Sequence, residues 1–363
     1  MTAPRLPQLT GLLDAAAREG VAAALAAEVR LRGAVVHRSH HGQAQRLPAA
    51  RPLGADDLFD VASLTKVMAT ASLAALLVDA GALELDLPAA RLLPELGPDH
   101  RGITLRHLLA HASGLPAWRP LHAAGRGSAA LIAAAAATPL EAAPGTRALY
   151  SDLGFILVGA ALERAVGAPL DALFAARISG PLGLGDTFFL RQGDPVSATR
   201  RARHRFAAAR ATTERGVLVG EVDDDNAFAM GGVAGHAGLF SSASEVAALG
   251  QAWLDALAGR SRWLSAATAA RFVARDSTPG TERALGWDTP SAQGSSLGTR
   301  LGRGRRGAVG HLGFTGCSLW LDLDRELACA LLTNHVHPDG PDKPRLKALR
   351  VRFHDAVAAE LGF

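Results

Sequence analysis

Cysteine is almost missing from this 363-residue chain, which has only Cys317 and Cys329. Two thiols cannot frame a disulfide scaffold, and a structural zinc needs more ligands than they supply. No uninterrupted apolar run is long enough to cross a bilayer, and the Ala-rich stretch from Ala129 to Ala137 is short and weakly apolar. Asp14, Arg18 and Glu19 interrupt the run from Leu9 to Val29, which argues against a signal peptide and makes the cytoplasm the expected location. A strong excess of one charge is also absent: the net charge is +4 and the pI about 9.6. Two basic clusters exist, Arg200, Arg201, Arg203 and Arg205, then Arg303, Arg305 and Arg306. Only Phe206 adjoins either of them, so they read as solvated surface rather than a nucleic-acid platform.

Two scarcities are more informative. Of 38 basic residues only Lys66, Lys343 and Lys347 are lysine, so arginine is the default cation. A lysine standing alone in the first 342 residues has two readings: it does what arginine cannot, losing a proton when desolvated, or it stands there by chance. Tyr150 is the single tyrosine.

What the chain does have is enough apolar residue, 48%, against 20% charged, to bury one large or two modest cores. Leu9 to Arg18 reads as a helix ended by Gly20, and Val21 to Arg30 and Gly33 to Arg38 read as strands around a turn at Arg32-Gly33. Leu64 to Ala80 reads as a helix stopped by Gly81. Between Asp86 and Met230 the best helices are Thr104 to Ala110, Ser128 to Ala137, Leu153 to Val166 and Leu170 to Ile178. Ala227 to Phe240 is Gly-rich and expected to be loop, and Ser244 to Ala258 returns to helix. Strand patterns reappear at Ala308 to Gly310, Cys317 to Leu323 and Leu327 to Thr333, with a hairpin turn at Asp324-Arg325, before a closing helix from Lys343 to Leu361. Strands at both ends with helices between them predict an α+β fold. In it an antiparallel sheet is built from both chain ends and flanked by terminal helices, with a mostly helical region inserted. The expected division is residues 1–85 and 280–363 for the sheet domain and 86–279 for the insertion.

Three short segments can carry chemistry. In Ser63-Leu64-Thr65-Lys66, the serine stands at a helix start and the lysine on the same face one turn later. A serine hydroxyl needs a base within hydrogen-bond reach, a lysine amine can supply it, and a helix N-terminus favours a developing oxyanion. Alone, the segment reads as well as an N-cap beside a solvated cation. Tyr150-Ser151-Asp152 opens a helix and could present a phenol to a cleft, or be a half-buried tyrosine with Asp152 as helix cap. In His311-Leu312-Gly313 the glycine permits close approach to the backbone and the Phe314 N–H could be an oxyanion donor; the plain alternative is a packed strand histidine. His107 and His111 share a helical metal spacing without a third ligand, His335 and His337 read as loop, and Asp223, Asp224 and Asp225 lack the rest of a calcium loop.

Together, S-x-x-K, Y-S-D and H-x-G in this order resemble the serine β-lactamase and penicillin-binding-protein superfamily. The nearest resemblance is to class C β-lactamases and the related serine esterases and D-amino-acid peptidases. Tyr150 opens the second motif where class A enzymes have S-D-N. The resemblance runs from Phe59 to Asn334 and includes ITLRHLLAHASGLP (103–116), GPLGLGDT (180–187) and GGVAGHAGLFSS (231–242). It implies that Ser63 is acylated, that Lys66 relays protons and that Tyr150 is the general base. It further implies that His311, where many members have lysine, hydrogen-bonds near the substrate or Tyr150. The Ser63 and Phe314 amides, with Gly313 between strand and turn, would form the oxyanion hole. Asp152 departs from the usual asparagine: an ionised carboxylate cannot donate to a substrate amide, and it can pair with Lys66 and weaken it as a base. The expected function is a serine hydrolase working through an acyl-enzyme, a carboxylesterase on small esters. The alternatives are a β-lactamase or D-amino-acid peptidase or amidase, and a catalytically silent acyl-ligand-binding member. The expected partner is a small-molecule acyl substrate, with no cofactor, metal, nucleic acid or membrane.

Overall fold

The computed structural model describes residues 6–338 and 342–363. Its main sheet has six antiparallel strands. In spatial order they are Ala308–Leu312, Ser318–Asp322, Leu327–Thr333, Ala24–Leu31, Ala34–Gln45 and Arg51–Pro52. The two chain ends meet at its centre, where Leu25 lies opposite Thr333 and Leu31 opposite Leu327. The first hairpin turns at Arg32 (φ 50°) and Gly33 (φ 86°), as a two-residue connection with both φ values positive requires.

Alternation along Leu327–Thr333 shows how the sheet is covered. Leu327, Cys329 and Leu331 face the terminal helices, Pro7–Arg18 and Lys343–Glu360, which bring Leu9, Leu13, Phe353 and Val357. Ala328, Ala330 and Leu332 face the other way, into a core shared with the helix Ala243–Leu257. That helix falls within residues 86–279 yet packs on the sheet, and the core it joins continues into the helical region. Cys317 and Cys329 are free, buried, and assigned to opposite faces of the sheet. Burial pushes the Cys317 thiol up to about 11.

At the centre of the helical region lies Asp152–Val166, whose residues from Leu153 to Leu162 are all buried and which ends on Gly167 in the left-handed conformation. A small second sheet, ordered Phe188–Phe189, Leu239–Ser241, Asp57–Asp60, Arg205–Phe206, joins the two regions and leads the chain into Ser63. No single helix is long and apolar enough to cross a membrane among the described residues.

Three local expectations need correction. The stretch Ala227 to Phe240 is not all loop: it holds most of the helix Asp225–Ala229, capped by Asp224, and the start of the strand Leu239–Ser241. That strand is stabilised by pairing with two distant strands, which local composition does not reveal. The helix after Ser63 is not α-helical throughout: Lys66–Ala71 is wound as a π-helix before the α-helix Ser72–Asp79. Ser72 Oγ donates to the Val67 carbonyl at 2.6 Å and so competes with the regular ladder. The helix after Tyr150 is capped by Ser151, whose Oγ accepts from Gly154 N at 3.2 Å, and not by Asp152. Asp152 is thereby free to turn toward Lys66.

Candidate active site

Ser63 follows the strand Asp57–Asp60 through Ala62, a non-glycine residue with φ 48°. Asp60 fixes this turn by accepting from Ala62 N at 2.8 Å. From one turn further on, Lys66 reaches back, and its Nζ donates to Ser63 Oγ at 2.9 Å. Lys66 is wholly buried. It also donates to the His236 carbonyl at 3.0 Å and forms an ion pair with Asp152, whose Oδ1 is 2.7 Å away. The buried ammonium is thus met by a hydroxyl, a carbonyl and a carboxylate, as a buried charge demands.

Burial pulls the Lys66 pKa down, but Asp152 and then Tyr150 outweigh it and hold the ammonium above its ordinary value. The weakening of Lys66 as a base, expected from the Y-S-D motif, is therefore built into the resting site. Tyr150 lies with its ring 4.9 Å from Lys66 Nζ, and its hydroxyl interacts with both Lys66 and Ser63. Burial pushes the phenol above its ordinary value against the opposing pull of Lys66, so it is protonated at rest.

The tyrosine ring is held from several sides. His111 stacks at 4.6 Å, His311 at 5.9 Å, and the Arg283 guanidinium lies 5.0 Å from its centroid. Both histidines are held well below the usual imidazole range by burial and by the nearby cations Lys66 and Arg283. His311 Nδ1 donates to the Leu312 carbonyl at 2.9 Å, and His111 Nδ1 accepts from Ser151 N at 3.0 Å. His107 is used elsewhere, in the capping box of the helix Leu105–Leu109, so the two residues do not act as a pair. Among the described residues no group of three or more His, Cys, Asp or Glu is placed to hold a metal.

Gly313 explains how the edge strand reaches Ser63. A Cβ there would lie 2.6 Å from the Val61 carbonyl oxygen, so only glycine lets this backbone meet the entry to Ser63. Phe314 follows, and with Ser63 it lines a cavity of about 380 Å³ whose walls include Trp118, Asp152, Arg210 and His236. Phe314 also lines a second cavity of about 540 Å³, bordered by Arg283, Lys343, Lys347 and Arg350. All three lysines of the chain therefore lie at the site or beside it.

The structure thus brings together Ser63, Lys66, Tyr150 and Asp152, and sets His311, Gly313 and Phe314 at their edge. Sequence reasoning passed over His236, Asp224 and Arg210. His236 lies within GGVAGHAGLFSS, and Asp224 within the acidic run read against calcium; a lone histidine in a glycine-rich loop signalled their role only weakly. The loop is pressed onto the helix Asp152–Val166, where a Cβ on Gly235 would sit 2.1 Å from the Phe155 carbonyl oxygen. That contact sets the His236 carbonyl over Lys66. Two arginines of the first basic cluster are structural, Arg200 covering Phe188 at 4.4 Å and Arg201 donating to the Gly220 and Leu190 carbonyls, while Arg203 and Arg205 are exposed.

The profile of the family described as "Beta-lactamase" matches residues 11–352. The chain is 33% identical over 308 residues to the N-acetylmuramyl-L-alanine amidase of Bacillus subtilis (strain 168), covering 77% of this chain and 68% of the relative. It is 30% identical over 310 residues to a putative D-alanyl-D-alanine carboxypeptidase of Escherichia coli (strain K12), covering 77% and 69%. Among solved structures it superposes on EstCE1, a hydrolase with promiscuous acyltransferase activity, with a TM-score of 0.74. That match has 22% identity and covers 97% of this chain and 98% of the other, a likeness of fold.

Proposed function

The chain belongs to the Beta-lactamase family and is a serine hydrolase, and from that premise we propose that it is a carboxylesterase acting on small esters through an acyl-enzyme at Ser63. The observation that carries the reading is the 2.7 Å pair between Lys66 and Asp152. It keeps Lys66 an ammonium, which stabilises charge but accepts no proton. It also sets a carboxylate, which offers only acceptors, where an acyl amide carbonyl would need a donor. Esters need neither: their alkoxide leaves readily and their acyl part brings no amide to be met.

In this reading the reacting form of Tyr150 is its minor phenolate, paired with the Lys66 ammonium, and Ser63 Oγ attacks the ester carbonyl as its proton passes to that phenolate. The Ser63 and Phe314 amides receive the oxyanion. Tyr150 returns the proton to the leaving group.

A second reading, a D-amino-acid carboxypeptidase or amidase, is favoured by the two relatives at 30–33% identity. The basic cavity beside Phe314 suits the carboxylate of such a leaving group. Intact-mass labelling with a fluorophosphonate, with the site mapped, tests the shared step, and p-nitrophenyl acetate against a D-alanyl-D-alanine peptide separates the two readings. Ser63→Ala should lose labelling and ester turnover while keeping its fold by circular dichroism. Unchanged turnover in Ser63→Ala rejects the acyl-enzyme, and faster cleavage of the peptide than of the ester by the wild type favours the second reading.

A further inference from the structure

We propose that the cavity at Ser63 receives an acyl group ending in a neutral aromatic ring, which stacks against Trp118 and Phe314. The inference rests on the carboxylesterase reading above and deepens it by naming the acyl half of the ester.

The first observation is a contrast in exposure. The chain has five tryptophans and twelve phenylalanines. Among the described residues only Trp118, 43% exposed, and Phe314, 46% exposed, stand open to solvent; the other rings are buried or half-buried. Both line the cavity of about 380 Å³ that Ser63 also lines. Large rings left in water forgo the free energy of burial, and two of them at one cavity mark a surface that a ligand covers.

The backbone under each ring is pinned. Before Trp118, the Ala117 carbonyl accepts from Asp152 N at 2.9 Å, and after it the Arg119 carbonyl accepts from Asn226 Nδ2 at 2.9 Å. Before Phe314, Gly313 N donates to the Cys317 carbonyl at 2.7 Å, and after it Thr315 Oγ1 donates to the Asp60 carbonyl at 2.8 Å. The exposure of the two rings is therefore built into the site.

The remaining walls decide what charge the acyl group carries. Asp152, Asp223, Asp224 and Asp225 all line the cavity. Each already has a partner: Lys66 at 2.7 Å, Arg210 at 2.7 Å, His236 at 2.8 Å and Arg215 at 2.8 Å, respectively. An anionic acyl group would meet four carboxylates, and a cationic one would have to draw a carboxylate from its partner. A neutral ring does neither, and contact with the faces and edges of Trp118 and Phe314 adds to the area it buries. The acyl half is assigned to this cavity because Asp152, read above as facing the acyl part, lies on it, while the basic cavity that shares Phe314 is left to the leaving group.

The test compares p-nitrophenyl acetate, phenylacetate and cyclohexylacetate, which share a leaving group, each kcat/KM being divided by the rate with hydroxide. The wild type should prefer phenylacetate to cyclohexylacetate, which matches it in size but has no aromatic face. Trp118→Ala should lower the phenylacetate-to-acetate ratio by about tenfold, and Trp118→Phe should restore most of it. Phe314→Leu keeps the main-chain N–H and much of the apolar bulk, and should lower the phenylacetate-to-cyclohexylacetate ratio by about threefold or more. Both side chains are exposed, so either variant serves should the other fail to fold. A wild type that prefers cyclohexylacetate overturns the inference, and so do ratios that stay within about twofold of the wild type in the folded variants. Intact mass keeps two failures apart. Unchanged ratios with Ser63 acylated reject the aromatic site alone, whereas a Ser63 that none of the three esters acylates rejects the esterase reading and the inference with it.

Discussion

On the face of the sheet covered by the terminal helices, Leu9, Leu13, Phe353 and Val357 meet Leu25, Val29, Cys329 and Leu331. Where the opposite edge of the sheet reaches Ser63, the buried side chains are instead Lys66, Asp60, His111, His236 and His311. The first region gains free energy from area removed from water, and its contacts are interchangeable within limits of volume. The second gains nothing from burial as such: each charged or polar atom there costs free energy unless a named partner meets it. The packed face therefore sets stability, and the polar junction, where the proposed chemistry lies, subtracts from it.

That contrast breaks first at Lys66. Lys66→Arg keeps the charge but cannot fit a planar guanidinium among Ser63 Oγ, the His236 carbonyl and Asp152. Ester kcat should fall by several orders of magnitude in protein that is still folded by circular dichroism. A near-wild-type rate would mean that the site requires positive charge and no particular geometry. Phe353→Ala should do the reverse, costing about 3–5 kcal/mol of stability with kcat at low temperature preserved. Equal losses in both properties would show that the packed face and the junction are not separable.

Asp152→Asn sharpens the comparison inside the site. It removes the counter-ion of Lys66, leaving burial to draw the ammonium pKa down, and restores a donor for an acyl amide. The ratio of nitrocefin to p-nitrophenyl ester kcat/KM should rise roughly ten- to a hundredfold, the worth of one such contact. An unchanged ratio would detach substrate preference from this residue.

The smallest effect is a pH slope. Burial, then repulsion from Asp223, pushes the Asp60 carboxyl up to about 7. The native state therefore holds this proton more tightly than the unfolded chain between its ordinary range and about 7. Stability falls as pH rises through that window, and the cost is complete above it. Urea unfolding from about pH 5 to about pH 7.5 should show the deficit of Asp60→Asn relative to wild type shrinking as pH rises. Parallel profiles would mean that Asp60 is charged throughout.

Much of the scaffold was legible along the chain because its signals are local. Alternation marked the strands near both ends, Arg32-Gly33 marked the first hairpin, and the apolar face of Leu153 to Val166 marked the central helix. The order S-x-x-K, Y-S-D, H-x-G marked the segments that meet around Ser63, and the shortage of lysine singled out Lys66. The strand Leu239–Ser241 was missed because three residues acquire strand geometry only from partners far along the chain.

The residue types, their local periodicities and the scarcity that isolates Lys66 and Tyr150 belong to the sequence by itself. The protonation and pairing of those residues belong to the tertiary structure. The charge of Lys66 depends on burial by the whole core and on Asp152, 86 positions away (152 − 66). Its third partner, the His236 carbonyl, is 170 positions away. Secondary structure responds to neighbours within a few residues, whereas a buried charge responds to desolvation and to whatever dipole the fold places within about 3 Å of it.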